Sequence, residues 1–377
     1  MLLKNIRKIF RAFFFIIILV CYSSCHRTKE NTENISYLKA DMIKVDNDLI
    51  ADISLIYIDS TRIFARHRKS SPLLIGFNIS GDTIIKNLEK IEIGNGPNEV
   101  HSLLLNSNIP SKDLLKFYDP TLKKLLVYNI KCDSLYEDDS FNTIKRDITI
   151  FRLAEGLEEG TLVSFLSTSN SDENGIIGLI SKSDSLLHNI EGVGGDFMRD
   201  MNLSKKMYYA PNSTILVQPD GKNCLFIPKT GQYAEIFKID GNHATDKRIL
   251  INNIPEFTID DRGRLDKAPG DLKFGFQSDV SHDRIYIAPY RFTNSELKEG
   301  LKNNPDYNGP GKGPDFSDQL YEYDWDGNLL NKYNLSHPLS GFKVAPDGRI
   351  WGISEDNDYN QIIVRYDLSS YNLINEK

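Results

Sequence analysis

The sequence predicts an all-β fold, a six-bladed β-propeller closed by a strand from its own N-terminal part. Three observations predict it. A strand ending in a tight turn recurs six times, with its apolar landmark at positions 77, 128, 180, 237, 323 and 366. Four of the five intervals, 51, 52, 57 and 43 residues, lie near the ~40–50-residue period of a propeller blade. Between the landmarks lie many short strand-like runs bounded by turn residues, with almost no amphipathic helix. That pattern confines the fold to a sandwich, barrel or propeller.

The clearest copy of the repeat is Tyr321-Glu322-Tyr323-Asp324-Trp325-Asp326-Gly327-Asn328-Leu329-Leu330, which alternates and then breaks at Asp-Gly, a hairpin dipeptide. Phe77-Asn78-Ile79-Ser80-Gly81 and Phe237-Lys238-Ile239-Asp240-Gly241 repeat it. Tyr128-Asn129-Ile130, Ile180-Ser181-Lys182-Ser183-Asp184 and Tyr366-Asp367-Leu368 are weaker copies. Around them the expected strands are Ser54–Ile58, Arg62–Arg66, Leu73–Ile79 and Ile84–Ile93 in unit one, and Leu114–Tyr118 and Lys124–Ile130 in unit two. Unit three has Thr161–Leu166, Gly175–Ser181 and Leu186–Ile190; unit four has Thr214–Gln218, Cys224–Pro228 and Ala234–Ile239. Unit five has Arg284–Ala288 and Gln319–Trp325, and unit six Gly341–Val344, Arg349–Ile353 and Gln361–Asp367. The long interval of 86 residues holds an insertion, placed at 294–318 by its Asn, Gly and Pro clusters. A ring must close, or its first and last blades leave open edges. A strand from Ile35–Val45 is therefore expected to complete the last blade. The competing architectures are an open stack and two smaller β domains.

The first residues read as an export leader. Lys4, Arg7, Lys8 and Arg11 precede a ten-residue apolar run, Ala12 to Cys21. That is short for a membrane span, which needs about 20 residues, and suits the core of a signal peptide. Tyr22-Ser23-Ser24-Cys25 follows and resembles a bacterial lipobox, whose cysteine is lipidated and becomes the mature N-terminus. The reading is residues 1–24 as lipoprotein signal peptide, Cys25 as the lipidation site, 25–34 as a flexible tether, and 35–377 as the propeller. Losing the four basic residues of the leader takes the formal charge from −7 to −11. No basic stripe remains to hold a phosphate backbone, so nucleic acid is excluded as a partner. Cys132 and Cys224 lie two units apart and are expected to be free thiols.

Gly94-Asn95-Gly96-Pro97-Asn98-Glu99-Val100 carries a family resemblance. A Gly-x-Gly-Pro-x-Glu segment after the first blade resembles the six-bladed propeller lipoproteins of Bacteroidales described as TolB-like, and is similar to the inter-blade loop of NHL repeats. Gly192-Val193-Gly194-Gly195-Asp196-Phe197 looks like a degenerate second copy; Gly311-Lys312-Gly313-Pro314-Asp315-Phe316 matches in letters but sits inside the insertion. The resemblance implies a propeller in the cell envelope and no single activity. From the residues themselves, Gly94 and Gly96 permit close backbone approach, Pro97 stiffens the turn, and Asn98 and Glu99 project polar groups. The loop is either a structural connection between blades or a rim position that holds a ligand.

No pattern calls for a metal or other cofactor. The seven histidines form no zinc-ligand spacing, there is no Gly-x-Ser-x-Gly nucleophile, and Gly309-Pro310-Gly311-Lys312-Gly313 lacks the spacing of a phosphate loop. Acids on β-turns such as Asp356-Asn357-Asp358 read as turn formers. Asp59-Ser60-Thr61, Asp82-Thr83-Ile84, Asp133-Ser134-Leu135 and Asp184-Ser185-Leu186 resemble a short O-glycosylation pattern of Bacteroidales envelope proteins. The expected function is a monomeric, lipid-anchored binding or scaffolding protein of the cell envelope, in the outer membrane, with a protein or glycan partner. The alternative is a lactonase-like hydrolase or lyase with a metal in the central channel. Candidate ligand-binding residues are Asn98, Glu99 and His101 after blade one, and Tyr307, Lys312 and Phe316 in the insertion, because loops on a rigid scaffold carry function.

Overall fold

The computed structural model describes residues 35–45, 53–67, 73–81, 83–94, 96, 99–101, 103–105, 113–138, 148–167, 176–195, 198, 203–228, 232–253, 258–262, 264–267, 275–290, 316–356, 358 and 360–369. The expected signal peptide, Cys25, the expected tether before Ile35, and residues 294–315 of the expected insertion lie outside them.

The chain opens with two strands, β1 (Ile35–Leu38) and β2 (Asp41–Val45). Six antiparallel meanders follow. Blade one is β3 (Ile53–Ile58), β4 (Arg62–His67), β5 (Leu74–Ser80) and β6 (Thr83–Ile93), followed by the short β7 (Glu99–Val100), parallel to β6. Blade two is β8 (Leu104–Leu105), β9 (Leu114–Asp119), β10 (Lys124–Asn129) and β11 (Ser134–Asp138). Blade three is β12 (Ile148–Ala154), β13 (Gly160–Ser167), β14 (Ile177–Ser181) and β15 (Leu187–Asn189). Helix α1 (Leu203–Tyr209) leads into blade four, β16 (Ser213–Val217), β17 (Cys224–Pro228), β18 (Gln232–Asp240) and β19 (His243–Asn253). A small hairpin of β20 (Thr258–Ile259) and β21 (Leu265–Lys267) precedes blade five, β22 (Phe276–Val280), β23 (Arg284–Pro289), β24 (Ser317–Asp324) and β25 (Leu329–Leu339). Blade six is β26 (Gly341–Val344), β27 (Ile350–Glu355) and β28 (Gln361–Tyr366), with β2 as its fourth strand.

Burial explains which strands the sequence reveals. The second strands β17 and β27 are buried on both faces along almost their whole length, which only an apolar run tolerates. The outermost β19 and β11 bury no residue fully. Their polar composition hides them in the sequence, and β11, β19 and β25 are additions to the expected strands.

Among the described residues the buried apolar side chains form six clusters, each at a junction between neighbouring blades. Phe64 and Leu74 meet Phe117 and Tyr128 between blades one and two. Tyr118 and Leu125 meet Ile150 and Phe165 at the next junction, and Leu162 and Ile177 meet Val217 and Phe226 at the third. Leu225 and Ile236 then meet Ile287 and Tyr323, and Leu320 and Tyr333 meet Ile350 and Val364. Finally Trp351 and Ile363 of blade six pack on Ile53 and Phe77 of blade one. An open stack of six blades lacks this last junction, so the propeller is closed. Helix α1, absent from the expected elements, fills the third junction with Tyr208 and Tyr209, whose rings sit edge to face at 5.2 Å.

The N-terminal closure is wider than expected. Instead of one strand on the last blade, β1 adds a fifth strand to blade five and β2 the fourth to blade six. β2 is antiparallel to β28, with Ile43 opposite Ile363, and its end runs parallel to β6, with Lys44 opposite Thr83. The same eleven residues thus bond three consecutive blades. The closure also explains the repeat. In blades one to five the landmark turn joins third strand to fourth, and each has a residue in the left-handed region: Gly81, Asp133, Ser185, Gly241 and Gly327. Blade six takes its fourth strand from the N-terminus, so its copy at Tyr366 ends without a hairpin glycine.

Candidate functional site

Antiparallel alternation fixes two faces of the ring. Turns from first to second strand and from third to fourth emerge on one, named face A. Turns from second to third strand and the links between blades emerge on the other, face B.

Face A carries two open depressions. One, of about 720 Å³, lies at the mouth of the axis, walled by Tyr57 of blade one, Asp279 to Arg284 of blade five, Lys343 to Gly348 of blade six, and Glu155, Gly156 and Pro219. The other, of about 950 Å³, is a cleft across blades two to four, lined by Lys116, Glu155 to Thr161, Ile180 to Lys182, Asp220 to Lys222 and Lys238. Glu155 and Gly156 border both.

Most charges of the two depressions are held in internal contacts, while Glu158 and Glu159 of the cleft are exposed. Asp279, 6% exposed, accepts from Lys343 Nζ at 3.0 Å and from the Val344 amide at 2.8 Å. Glu322 accepts from the Tyr333 hydroxyl and Asn331 Nδ2, both at 2.7 Å, and pairs with Arg284 Nε at 3.2 Å. In the cleft Lys116 Nζ lies 2.7 Å from Glu155 and 3.3 Å from Asp138, tying blade two to blade three. Burial pushes the Glu155 carboxyl above its ordinary range against the pull of Lys116. Burial opposes the charge of Lys116 too, but the hydrogen bond and charge of Glu155 outweigh it and hold the ammonium above its usual value. Lys182 Nζ donates to the carbonyls of Leu157 and Glu158, at 3.0 and 3.1 Å. Burial, then the Asp59 charge, pushes the Tyr57 phenol up to about 12, so it stays a donor at neutral pH.

Glu155 and Gly156 form the boundary between the depressions, and Gly221 of the cleft packs against Gly156. Gly156 has φ +120° and Gly221 φ +75°; a Cβ on Gly221 would lie 2.4 Å from the Gly156 carbonyl oxygen. A side chain is excluded at Gly156 by conformation and at Gly221 by conformation and space, and the neighbouring Glu155 side chain is turned to Lys116.

The expected site residues fall elsewhere. Asn98, Tyr307 and Lys312 lie outside the described residues. Glu99 and His101 follow blade one on face B and border neither depression. Glu99 folds back so that its Oε2 accepts the Gly96 amide at 2.6 Å, while a Cβ on Gly94 would lie 2.0 Å from that oxygen. The glycines make room for a carboxylate that braces the loop. His101 is exposed, and its amide donates to buried Asp119 at 2.9 Å. Phe316, expected as a stacking surface, is 9% exposed and directly precedes β24, so residues 316–318 belong to the blade and the insertion ends before them. The second glycine loop also holds a carboxylate. Buried Glu235 of blade four lies beside Gly194 and accepts the Tyr233 hydroxyl, while its Oε1 has no hydrogen-bond partner among the described residues and burial pushes its carboxyl up.

Acids on turns act as turn formers: Asp356 Oδ1 accepts the amides of Asp358 and Asn360, and Asp59 Oδ1 those of Thr61 and Arg62. Among the described residues no three His, Cys, Asp or Glu side chains form a set able to hold a metal ion, and no helix is long and apolar enough to cross a membrane. The face A residues escape sequence reading because all six blades supply them. The local signal is a glycine after an acid in three first-to-second-strand turns, Glu155-Gly156, Asp220-Gly221 and Asp347-Gly348.

No protein-family model and no curated protein matches the chain. Solved structures do. A Bacteroides fragilis protein described as exported is 12% identical, with a TM-score of 0.52 over 89% of this chain and 97% of its own. A member of the DUF4221 family from Bacteroides vulgatus is 9% identical, with a TM-score of 0.49 over 88% and 96%. The β-propeller domain of Myceliophteria thermophila Cps50 is 8% identical, with a TM-score of 0.40 over 87% and 98%. At these identities the likeness is one of fold alone.

Proposed function

We propose that the protein is a lipid-anchored binding or scaffolding protein of the cell envelope that holds its partner on face A. The observation that carries this reading is the pair of open depressions meeting at Glu155 and Gly156 on a closed, rigid ring. Their charged groups brace neighbouring blades, which suits a preformed recognition surface. The leader and Cys25 supply the anchor, and the Bacteroides neighbour described as exported agrees with an envelope location. The test has two arms. Cys25→Ala should abolish acyl labelling and move the protein out of the membrane fraction; persistent labelling overturns the anchor. The lipidated protein should capture a specific partner from its own envelope, and the same protein carrying Lys222→Glu and Lys238→Glu on face A should not. Equal capture by both overturns face A as the binding surface.

A further inference from the structure

We infer that face A binds a linear, uncharged, polyhydroxylated polymer, a neutral glycan chain, laid from the axial mouth across the Glu155–Gly156 saddle into the cleft. This rests on the binding role assigned above and names its ligand class.

Three observations carry it. The first is shape. Depressions of about 720 and 950 Å³ share a border, so the surface is a trough open along its length. The saddle has no side chain at Gly156 or Gly221 to block a chain crossing it. An extended polymer fits such a trough better than a compact cofactor does.

The second is charge. All four lysines of the cleft are engaged: Lys116 with Glu155 and Asp138, Lys182 with two carbonyls, Lys222 with Asp220 at 2.9 Å, and Lys238 with Asp246 at 2.8 Å. These four lysines share the lining with five carboxylates, Asp138, Glu155, Glu158, Glu159 and Asp220, so a polyanion meets no net positive charge there. The acids of the axial mouth are likewise held: Asp279 by Lys343, Glu322 by Arg284, Asp347 by Arg349, and Asp283 by His282. At the mouth a polycation would have to compete with Lys343 for buried Asp279 and with Arg284 for buried Glu322, and in the cleft exposed Glu158 and Glu159 add to the repulsion of a polyanion.

The third is the chemistry of the lining. Ammonium donors alternate with carboxylates, the Thr161 and Ser181 hydroxyls and backbone groups, and few apolar side chains interrupt them. Each sugar hydroxyl both donates and accepts, so such a surface satisfies it in either sense without a counter-charge. An amphipathic helix would need an apolar stripe that the cleft lacks.

The test is calorimetric titration of the full-length lipidated protein in detergent. The titrants are neutral gluco-, xylo- and manno-oligosaccharides of increasing length, with heparin and polylysine as charged comparators, at low and high salt. At least one neutral series should bind, with affinity rising over successive sugar units and changing less than about twofold with salt. Lys222→Ala removes only an exposed ion pair, so the fold should survive it. The ammonium keeps further donors beside its contact with Asp220, and losing the one given to a sugar hydroxyl should weaken binding about tenfold. Met42→Ala on the outer rim should leave binding unchanged. Salt-sensitive binding of heparin or polylysine alone overturns the inference. So does silence from every neutral series while envelope capture through face A persists, in which case the partner is a protein and the binding role stands. Loss of envelope capture as well removes the binding role itself.

Discussion

Replacing Ile43 by alanine tests how the ring is closed. Ile43 is 3% exposed on β2 and packs in the junction between blades six and one with Ile84, Trp351 and Ile363. Met42, its neighbour on the same strand, is 62% exposed. Both substitutions leave the backbone pairing of β2 intact, so they differ only in the side-chain volume taken from the junction. Truncating a buried isoleucine costs about 2–5 kcal/mol through lost transfer energy and a residual cavity. An exposed side chain costs within about 0.5 kcal/mol. Unfolding entropy of about 2 cal/mol/K per residue, over a unit of roughly 340 residues, makes ~3 kcal/mol worth about 4 °C in Tm. Ile43→Ala should therefore lower Tm by about 3–7 °C, and Met42→Ala by less than 1 °C, in thermal unfolding followed by circular dichroism or calorimetry. A side-chain period of two means that a one-residue slip of β2 would exchange the two positions. Equal effects, or the reverse order, would refute the closure and its register.

Three further expectations follow from buried groups. Burial raises the Glu235 carboxyl, so the folded chain binds that proton more readily than the unfolded chain, and stability falls as pH climbs through the raised value. Glu235→Gln should add on the order of 1 kcal/mol at pH 7, and urea unfolding at about pH 4, where the unfolded carboxyl is protonated too, should show the gain gone; a gain independent of pH refutes it. Gly94→Ala should expel the Glu99 carboxylate from the Gly96 amide and cost about 1–2 kcal/mol. It should cost much less in a Glu99→Ala background, and a double-mutant cycle with strictly additive costs would dismiss the cradle. Cys132 is exposed and Cys224 fully buried, both as free thiols. Peptide-level mass spectrometry should find Cys132 alkylated in the native protein and Cys224 only after unfolding, and a disulfide-linked peptide would contradict the fold.

The insertion and the Gly94–Val100 loop stand out in the sequence because they break the repeat. Composition shows where a chain departs from regular structure, but not which face the departure serves. Glu99 illustrates the limit: its polarity reads as a group offered to a partner, and the fold turns it onto the amide of Gly96 three residues away. Phe316 illustrates another, since an aromatic at the end of a glycine-rich stretch looks exposed until the strand that it introduces is placed in a blade.

Local chemistry was enough to determine the strand-and-turn unit, its period and its number. A left-handed turn demands Gly or a residue such as Asp at a fixed offset from a buried strand, and both signals lie within a few residues of each other. Even the need for closure was legible, because an unpaired edge is costly wherever it falls. The tertiary structure alone decided that residues 35–45 bridge three blades, that the outer polar strands exist, and that Lys116, Glu155, Asp279 and Lys343 meet at one face. The closing strands and that site are defined by partners from about 40 to more than 300 residues apart, whereas the outer strands β11 and β19 pair through local hairpins and escape notice through their polar composition. No spacing in a linear sequence records which face of a closed ring a side chain will share.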